Sequence, residues 1–89
     1  MVRVVFTQNL QRHVACPESI VEASSVRDAL EAVFAANPRA RGYVLDDQSQ
    51  LRRHMAIFVD GRLIRDRTGL SDSVGEASTI AVFQALSGG

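Results

Sequence analysis

The sequence predicts an α+β domain in which a mixed sheet of about four to five strands is crossed by one main helix. Short runs of branched and aromatic residues, Val2-Arg3-Val4-Val5-Phe6, Met55-Ala56-Ile57-Phe58-Val59 and Thr79-Ile80-Ala81-Val82-Phe83, read as strands. A single stretch of helical period, Val26 to Ala36, falls between the first of these runs and the other two. With 89 residues the chain has room for one domain built on one core.

In chain order, Val2, Val4 and Phe6 alternate with Arg3, Val5 and Thr7, the two-residue period of a strand with one buried face. Gln8 to Arg12 is polar and turns the chain. His13-Val14-Ala15-Cys16 and Ser19-Ile20-Val21-Glu22 read as a weaker return strand interrupted around Pro17, which places it at a sheet edge or gives it a break. Ser25-Val26-Arg27-Asp28 fits a capping box, with Ser25 as N-cap and Asp28 reaching back to the free amides. Val26, Ala29, Leu30, Val33 and Phe34 then form one apolar stripe, and Asn37-Pro38 stops the helix. From Arg39 to His54 the pattern is irregular. Within it, Tyr43-Val44-Leu45 makes a short helical turn or covers the open end of the core, and Asp46 to Gln50 forms an exposed turn. Asp60-Gly61 signals a hairpin that returns Arg62-Leu63-Ile64 against the preceding strand. Arg65 to Ala77 is loop, with Gly69 and Gly75 as punctuation and Leu70 and Val74 as core plugs. If the first and last strands are parallel neighbours at the centre of the sheet, the chain beyond Phe83 leaves from the end of that sheet.

Composition narrows the function classes. An apolar fraction of 46% with 22% charged residues excludes general disorder. Ten acidic residues balance ten basic ones, so no global field draws nucleic acid or an anionic membrane. No apolar run approaches the length of a membrane span, the first residues alternate too strictly for a signal peptide, and the single Cys16 agrees with a reducing compartment. These features place the protein in the cytoplasm. All ten cations are arginines, so no lysine side chain can serve as an acyl acceptor. Cys16 has no activating neighbours in the sequence. His13 and His54 lack metal-ligand spacing, and no phosphate loop or nucleophile–base pattern is present. The sequence therefore indicates neither a bound metal or cofactor nor an enzyme active site.

The end of the sequence carries a different kind of chemistry. Gln84-Ala85-Leu86-Ser87-Gly88-Gly89 holds little that would fix it to the body. Two glycines without side chains can pass through a channel too narrow for a Cβ. The expected division is a folded domain over residues 1–83 and a flexible tail over residues 84–89.

The element order, the helix opening Ser25-Val26-Arg27-Asp28-Ala29-Leu30, the segment Leu51-Arg52-Arg53-His54-Met55-Ala56-Ile57-Phe58-Val59-Asp60-Gly61 and the terminal Gly88-Gly89 together resemble the ThiS/MoaD group of prokaryotic sulfur carriers. That resemblance implies a ubiquitin-like β-grasp fold. It also implies a carrier, not an enzyme, whose Gly89 carboxylate is adenylated with MgATP by a partner related to ubiquitin-activating enzymes. A persulfide donor then converts it to a thiocarboxylate, which passes sulfur to an acceptor enzyme of molybdopterin synthase, thiazole synthase or cysteine synthase type. The chain would be a free carrier or the small subunit of a molybdopterin synthase-type complex, with Gly88, Ser87 and Leu86 as the tail that threads the partner. Two features depart from the family pattern. Val74-Gly75-Glu76-Ala77 stands where an acidic turn is common, and Gln84-Ala85 where prolines often follow the last strand.

Strand parity indicates a docking surface. With Val4, Phe6, Ile57, Val59, Ile80 and Val82 turned toward the helix, Val5, Phe58, Ala81 and Phe83 share the outer face as an apolar partner-binding patch. Arg3, Arg62 and Arg65 are candidates for its polar rim. Two other classes of function remain: a ubiquitin-like modifier joined to targets through Gly89, and a non-covalent β-grasp interaction module.

Overall fold

The computed structural model describes residues 1–7 and 18–84. Along the chain these form β1 (Val2–Phe6), β2 (Ser19–Val21), α1 (Val26–Ala36), α2 (Pro38–Val44), β3 (Met55–Val59), β4 (Arg62–Leu63) and β5 (Thr79–Gln84). The sheet order is β2-β1-β5-β3-β4. β1 and β5 run parallel, with Val4 opposite Ile80 and Phe6 opposite Val82, while β3 pairs antiparallel with the other side of β5. The expected central pairing of the first and last strands is thus found. β2 lies at one edge, one of the two outcomes that Pro17 allowed. The turn expected over Gln8 to Arg12 and the strand expected over His13 to Cys16 lie outside the described residues.

Strand alternation sets the core. Val2, Val4, Ile57, Ile80 and Val82 are completely buried, and Phe6 nearly so. Val59 is only partly buried, because it ends β3 at the hairpin and packs on the margin of the core. The helix contributes Val26, Ala29, Leu30, Val33 and Phe34, the stripe its period predicts. Ser25 caps it: the Asp28 amide donates to the Ser25 hydroxyl at 3.1 Å. The first two amides go elsewhere than the capping pattern predicts. Val26 N–H donates to the Asp72 carbonyl and Arg27 N–H to the Leu70 carbonyl, so a distant loop closes the helix end that Asp28 was expected to serve.

The segment after α1 corrects the sequence reading. Pro38 both ends α1 and opens α2, sitting in the first turn where its missing N–H costs nothing. α2 covers the end of the core with Ala40 and Val44, and the next residue, Leu45, is buried beside them. Asp46 then accepts from the Gln48 and Gln50 amides, which folds the expected turn on a carboxylate. At the hairpin, Asp60 and Gly61 take φ values of 50° and 84°, the two left-handed positions of a tight β3–β4 connection.

The 65–77 loop is organised by one carboxylate. Asp66 accepts from the Gly69 and Ser71 amides and from the Ser71 hydroxyl, at 2.8, 3.2 and 2.6 Å. The hydroxyl, and after it the Gly69 amide, pull the Asp66 carboxyl down to about 2. A Cβ on Gly69 would stand 2.7 Å from Asp66 Oδ2, so any larger residue there would push the carboxylate out of this arrangement. This wrap holds Leu70 at a φ of 55° with its side chain completely buried, the plug expected of it. Leu70→Ala is expected to lower the unfolding free energy by about 2–5 kcal/mol, read as a reduced urea midpoint at an unchanged slope. The Asp66 contribution is full above the ordinary carboxylate range near pH 4 and is lost as pH falls toward about 2. An acid titration should therefore show Asp66→Ala flattening the stability change in that window.

Candidate functional site: the end of β5 and the outer sheet face

β5 carries the described chain to its end at Gln84. Its pairing with β3 continues through Phe83 opposite Ala56 and Gln84 opposite Met55, one residue beyond the expected strand end. On its other side the Thr7 amide donates to the Val82 carbonyl at 3.2 Å. Leu86, Ser87, Gly88 and Gly89 lie outside the described residues.

Beside this exit, the register lines up a row of apolar residues across the outer face. Val5 lies opposite Ala81, Ala81 opposite Phe58, and Phe58 opposite Leu63. Phe83 follows on β5, and its ring meets that of Phe58 edge-on, with centroids 5.5 Å apart and planes at 75°. The four residues that parity assigned to this face therefore stand together. Val5, Phe58 and Ala81 are half-buried, and Phe83 is 42% exposed.

Sequence reasoning missed two members of the same face. Leu63 is 56% exposed and Ile20 63%. Leu63 was available from the Asp60-Gly61 turn, because a two-residue loop fixes Val59 opposite Arg62 and Phe58 opposite Leu63. Ile20 needed knowledge that Arg3 is its partner in β1, a register that no local signal provides.

The polar rim differs from expectation. Arg3 lies on the outer face beside Ile20, bound to Glu18 through two hydrogen bonds of 2.7 and 2.8 Å. Those bonds raise the Arg3 pKa and lower that of Glu18. Arg62 and Arg65 do not join it. Arg62 pairs with Val59, and both arginines line an open cleft with Asp60, Asp72, Ser73 and Ser78. The cleft is at the hairpin end of the sheet, away from the exit of β5. Asp60 fastens that end: its carboxylate accepts from the Thr79 amide at 2.9 Å and its amide donates to the Thr79 carbonyl at 3.0 Å. The Thr79 bond, then the Ser78 hydroxyl, hold the Asp60 carboxyl below its usual range.

Among the described residues no three of His, Cys, Asp and Glu are grouped as metal ligands, and no helix is long and apolar enough to cross a membrane. Cys16 and His13 lie outside those residues. Within the described residues the candidate site consists of an apolar sheet face and the end of β5 beside it.

Known structures share this architecture. The structure of small archaeal modifier protein 1 (SAMP1) from Haloferax volcanii superposes with a TM-score of 0.78 at 22% identity, over 99% of this chain and 98% of that one. A chain of the Amycolatopsis orientalis BexX/CysO complex gives 0.82 at 19% identity, over the whole of both chains. Mycobacterium tuberculosis CysO gives 0.79 at 17% identity, over 97% of this chain and all of that one. The fold is thus the ubiquitin-like β-grasp. No curated protein matches the chain. The family model of the ThiS family matches residues 5–89, and the chain belongs to that family of ubiquitin-like sulfur carriers.

The Phe58–Phe83 contact links β3 to β5 on the outer face, so the two rings should be energetically coupled. A double-mutant cycle of Phe58→Ala and Phe83→Ala, measured by urea unfolding, is expected to return a coupling of about 0.5–1.5 kcal/mol.

Proposed function

We propose that this protein is a cytoplasmic sulfur carrier whose working group is the α-carboxylate of Gly89. The observation that carries the reading is the placement of β5. It is the central strand, and it runs directly into the segment that ends in Gly88-Gly89. Residues 85–89, which follow the last paired residue Gln84, serve as the thread that carries this group on the domain formed by the preceding residues.

A carboxylate is a poor acyl donor, because its leaving group would be oxide. An adenylating partner overcomes this with MgATP. A Gly89 carboxylate oxygen bonds to the α-phosphorus, the bond to the β-phosphate oxygen breaks, and pyrophosphate leaves. The terminal sulfur of a persulfide then bonds to the acyl carbon and AMP leaves as a stable anion. A thiol cleaves the resulting acyl disulfide, becoming a disulfide itself, and frees the thiocarboxylate. This softer nucleophile delivers sulfur to an acceptor enzyme in the synthesis of molybdopterin, thiamin or cysteine. Throughout, the chain supplies the acyl group and a docking face, and its partners supply the catalysis. Val5, Phe58, Ala81 and Phe83 form that face together with Leu63. Burying one phenylalanine side chain contributes roughly 1.5–3 kcal/mol, enough for the pair to act as interface hot spots.

A second reading is favoured by the likeness to a small archaeal modifier protein. In it, Gly89 forms an amide with an amine on a target. The chain has no lysine, so lysine-linked polymers of it cannot form. Each target amine would carry a single copy.

Incubation with MgATP and the cell's ThiS-type activating enzyme should release pyrophosphate, and the variant lacking Gly88-Gly89 should release none. Protein purified from its native cells should carry sulfur in place of one oxygen at its C-terminus by mass spectrometry. High-mass adducts with unmodified free protein would favour the modifier instead. Unaltered function of the truncated variant would leave only the non-covalent module.

A further inference from the structure

We infer that the turn Arg52-Arg53-His54 is a basic rim around the root of the tail, and that it docks on a carboxylate-rich surface at the mouth of the partner that takes Gly89. The inference rests on the carrier reading and names part of the partner's surface.

Position comes first. Met55, the first residue of β3, lies opposite Gln84, the last of β5. The three residues before Met55 therefore stand at the end of the sheet where the tail begins. Gly89 is five residues beyond Gln84. A fully extended chain spans at most about 3.3–3.6 Å per residue, so roughly 18 Å is the limit of its reach. Any enzyme that holds Gly89 in its active site must bring the mouth of that site within this distance of Gln84. It must then face this turn.

The turn is built to stay in place. Arg52 N–H donates to the Val44 carbonyl, Met55 N–H to the Arg52 carbonyl, and Arg52 Nε to the Gly42 carbonyl. From beneath, Arg67 Nη2 donates to the carbonyls of Arg52 and Arg53 at 2.8 and 3.3 Å. A third guanidinium is thereby added to the same end. The side chains that face outward are uncommitted: Arg53 and His54 are exposed, and among the described residues Arg53 has no hydrogen bond or ion pair from its guanidinium. The ion pairs formed among the described residues use Arg3 and Arg27 and none of these arginines. In a chain of zero net charge, three arginines thus gather at the end of the sheet, and among the described residues no carboxylate is paired to any of them.

Distance selects the occupant. With the tail extended into a partner, the ATP phosphates lie near Gly89, at the far end of the thread. Only protein at the channel mouth is close enough to meet Arg53. Carboxylates there would orient the carrier so that its tail enters first, and would speed encounter at low salt.

Arg53→Glu tests this in the pyrophosphate-release assay with the activating enzyme. Because the side chain is exposed and holds no partner among the described residues, the variant should keep the parent's urea midpoint. Its KM for the carrier should rise about tenfold at low ionic strength, with kcat unchanged, and the difference should shrink as salt is raised. Arg53→Lys should stay near the parent value. An unchanged KM at low salt, a loss that salt does not reduce, or a fall in kcat alone would each overturn the inference. If the parent itself releases no pyrophosphate, the carrier reading fails and the rim fails with it. Normal activity of both parent and Arg53→Glu sinks the rim alone.

Discussion

The structure depends on β5 being held on both sides. Its ladder with β1 is parallel and its ladder with β3 antiparallel, so backbone groups on both edges of the strand are paired within the sheet. Ile80 and Val82 anchor it from below with no exposed surface. Force applied along the tail loads β5 in shear against two neighbours at once. An edge strand in its place would peel one hydrogen bond at a time. The Asp60 contact adds a stop at the far end, because its carboxylate and amide grip Thr79, where β5 begins.

What the sequence revealed and what it hid follow from how local each cause is. The start of α1 is a hydroxyl three residues from its amide, and the β3–β4 hairpin is two residues that tolerate positive φ; both are visible in a short window. The outer face followed from a period of two, which is why Val5, Phe58, Ala81 and Phe83 were found together. Pro38 misled because proline has two meanings, ending one helix and opening the next. The closure of α1 by the Leu70 and Asp72 carbonyls joins residues more than forty positions apart, and nothing near Ser25 announces it. Arg62 was placed on the wrong side for a related reason. Its strand is only two residues long, so the pairing and not the alternation decides where it points.

The arginines have a structural role that composition alone conceals. Arg27 reaches across to the Gly69 carbonyl at 2.7 Å and the Ser49 carbonyl at 3.0 Å; Arg52 reaches Gly42, and Arg67 reaches Arg52 and Arg53. The acceptors all belong to α2 or to the loops around it, where few carbonyls find a partner in a ladder. A guanidinium presents several N–H groups in a rigid plane, so one side chain bridges two strands of loop. An ammonium in its place would offer a point charge on a flexible stem. Two long loops are therefore fastened to the helix and to each other with little regular structure of their own.

Those same clamps determine where charge is left over. Arg67 is spent inward on carbonyls, yet its charge remains, and it adds to that of Arg52 and Arg53 at the end of the sheet. The opposite end is neutralised locally, since Arg62 and Arg65 share their cleft with Asp60 and Asp72. With no net charge, the molecule exerts little monopole attraction, and at physiological salt fields decay within about 8 Å. Recognition must then be read at contact range, from what lies next to the tail. The apolar face contributes area without direction, because burying a phenylalanine rewards many orientations nearly equally. In the carrier reading we propose, a basic rim on one side of that area would break the degeneracy, at the end of the sheet where β5 stops.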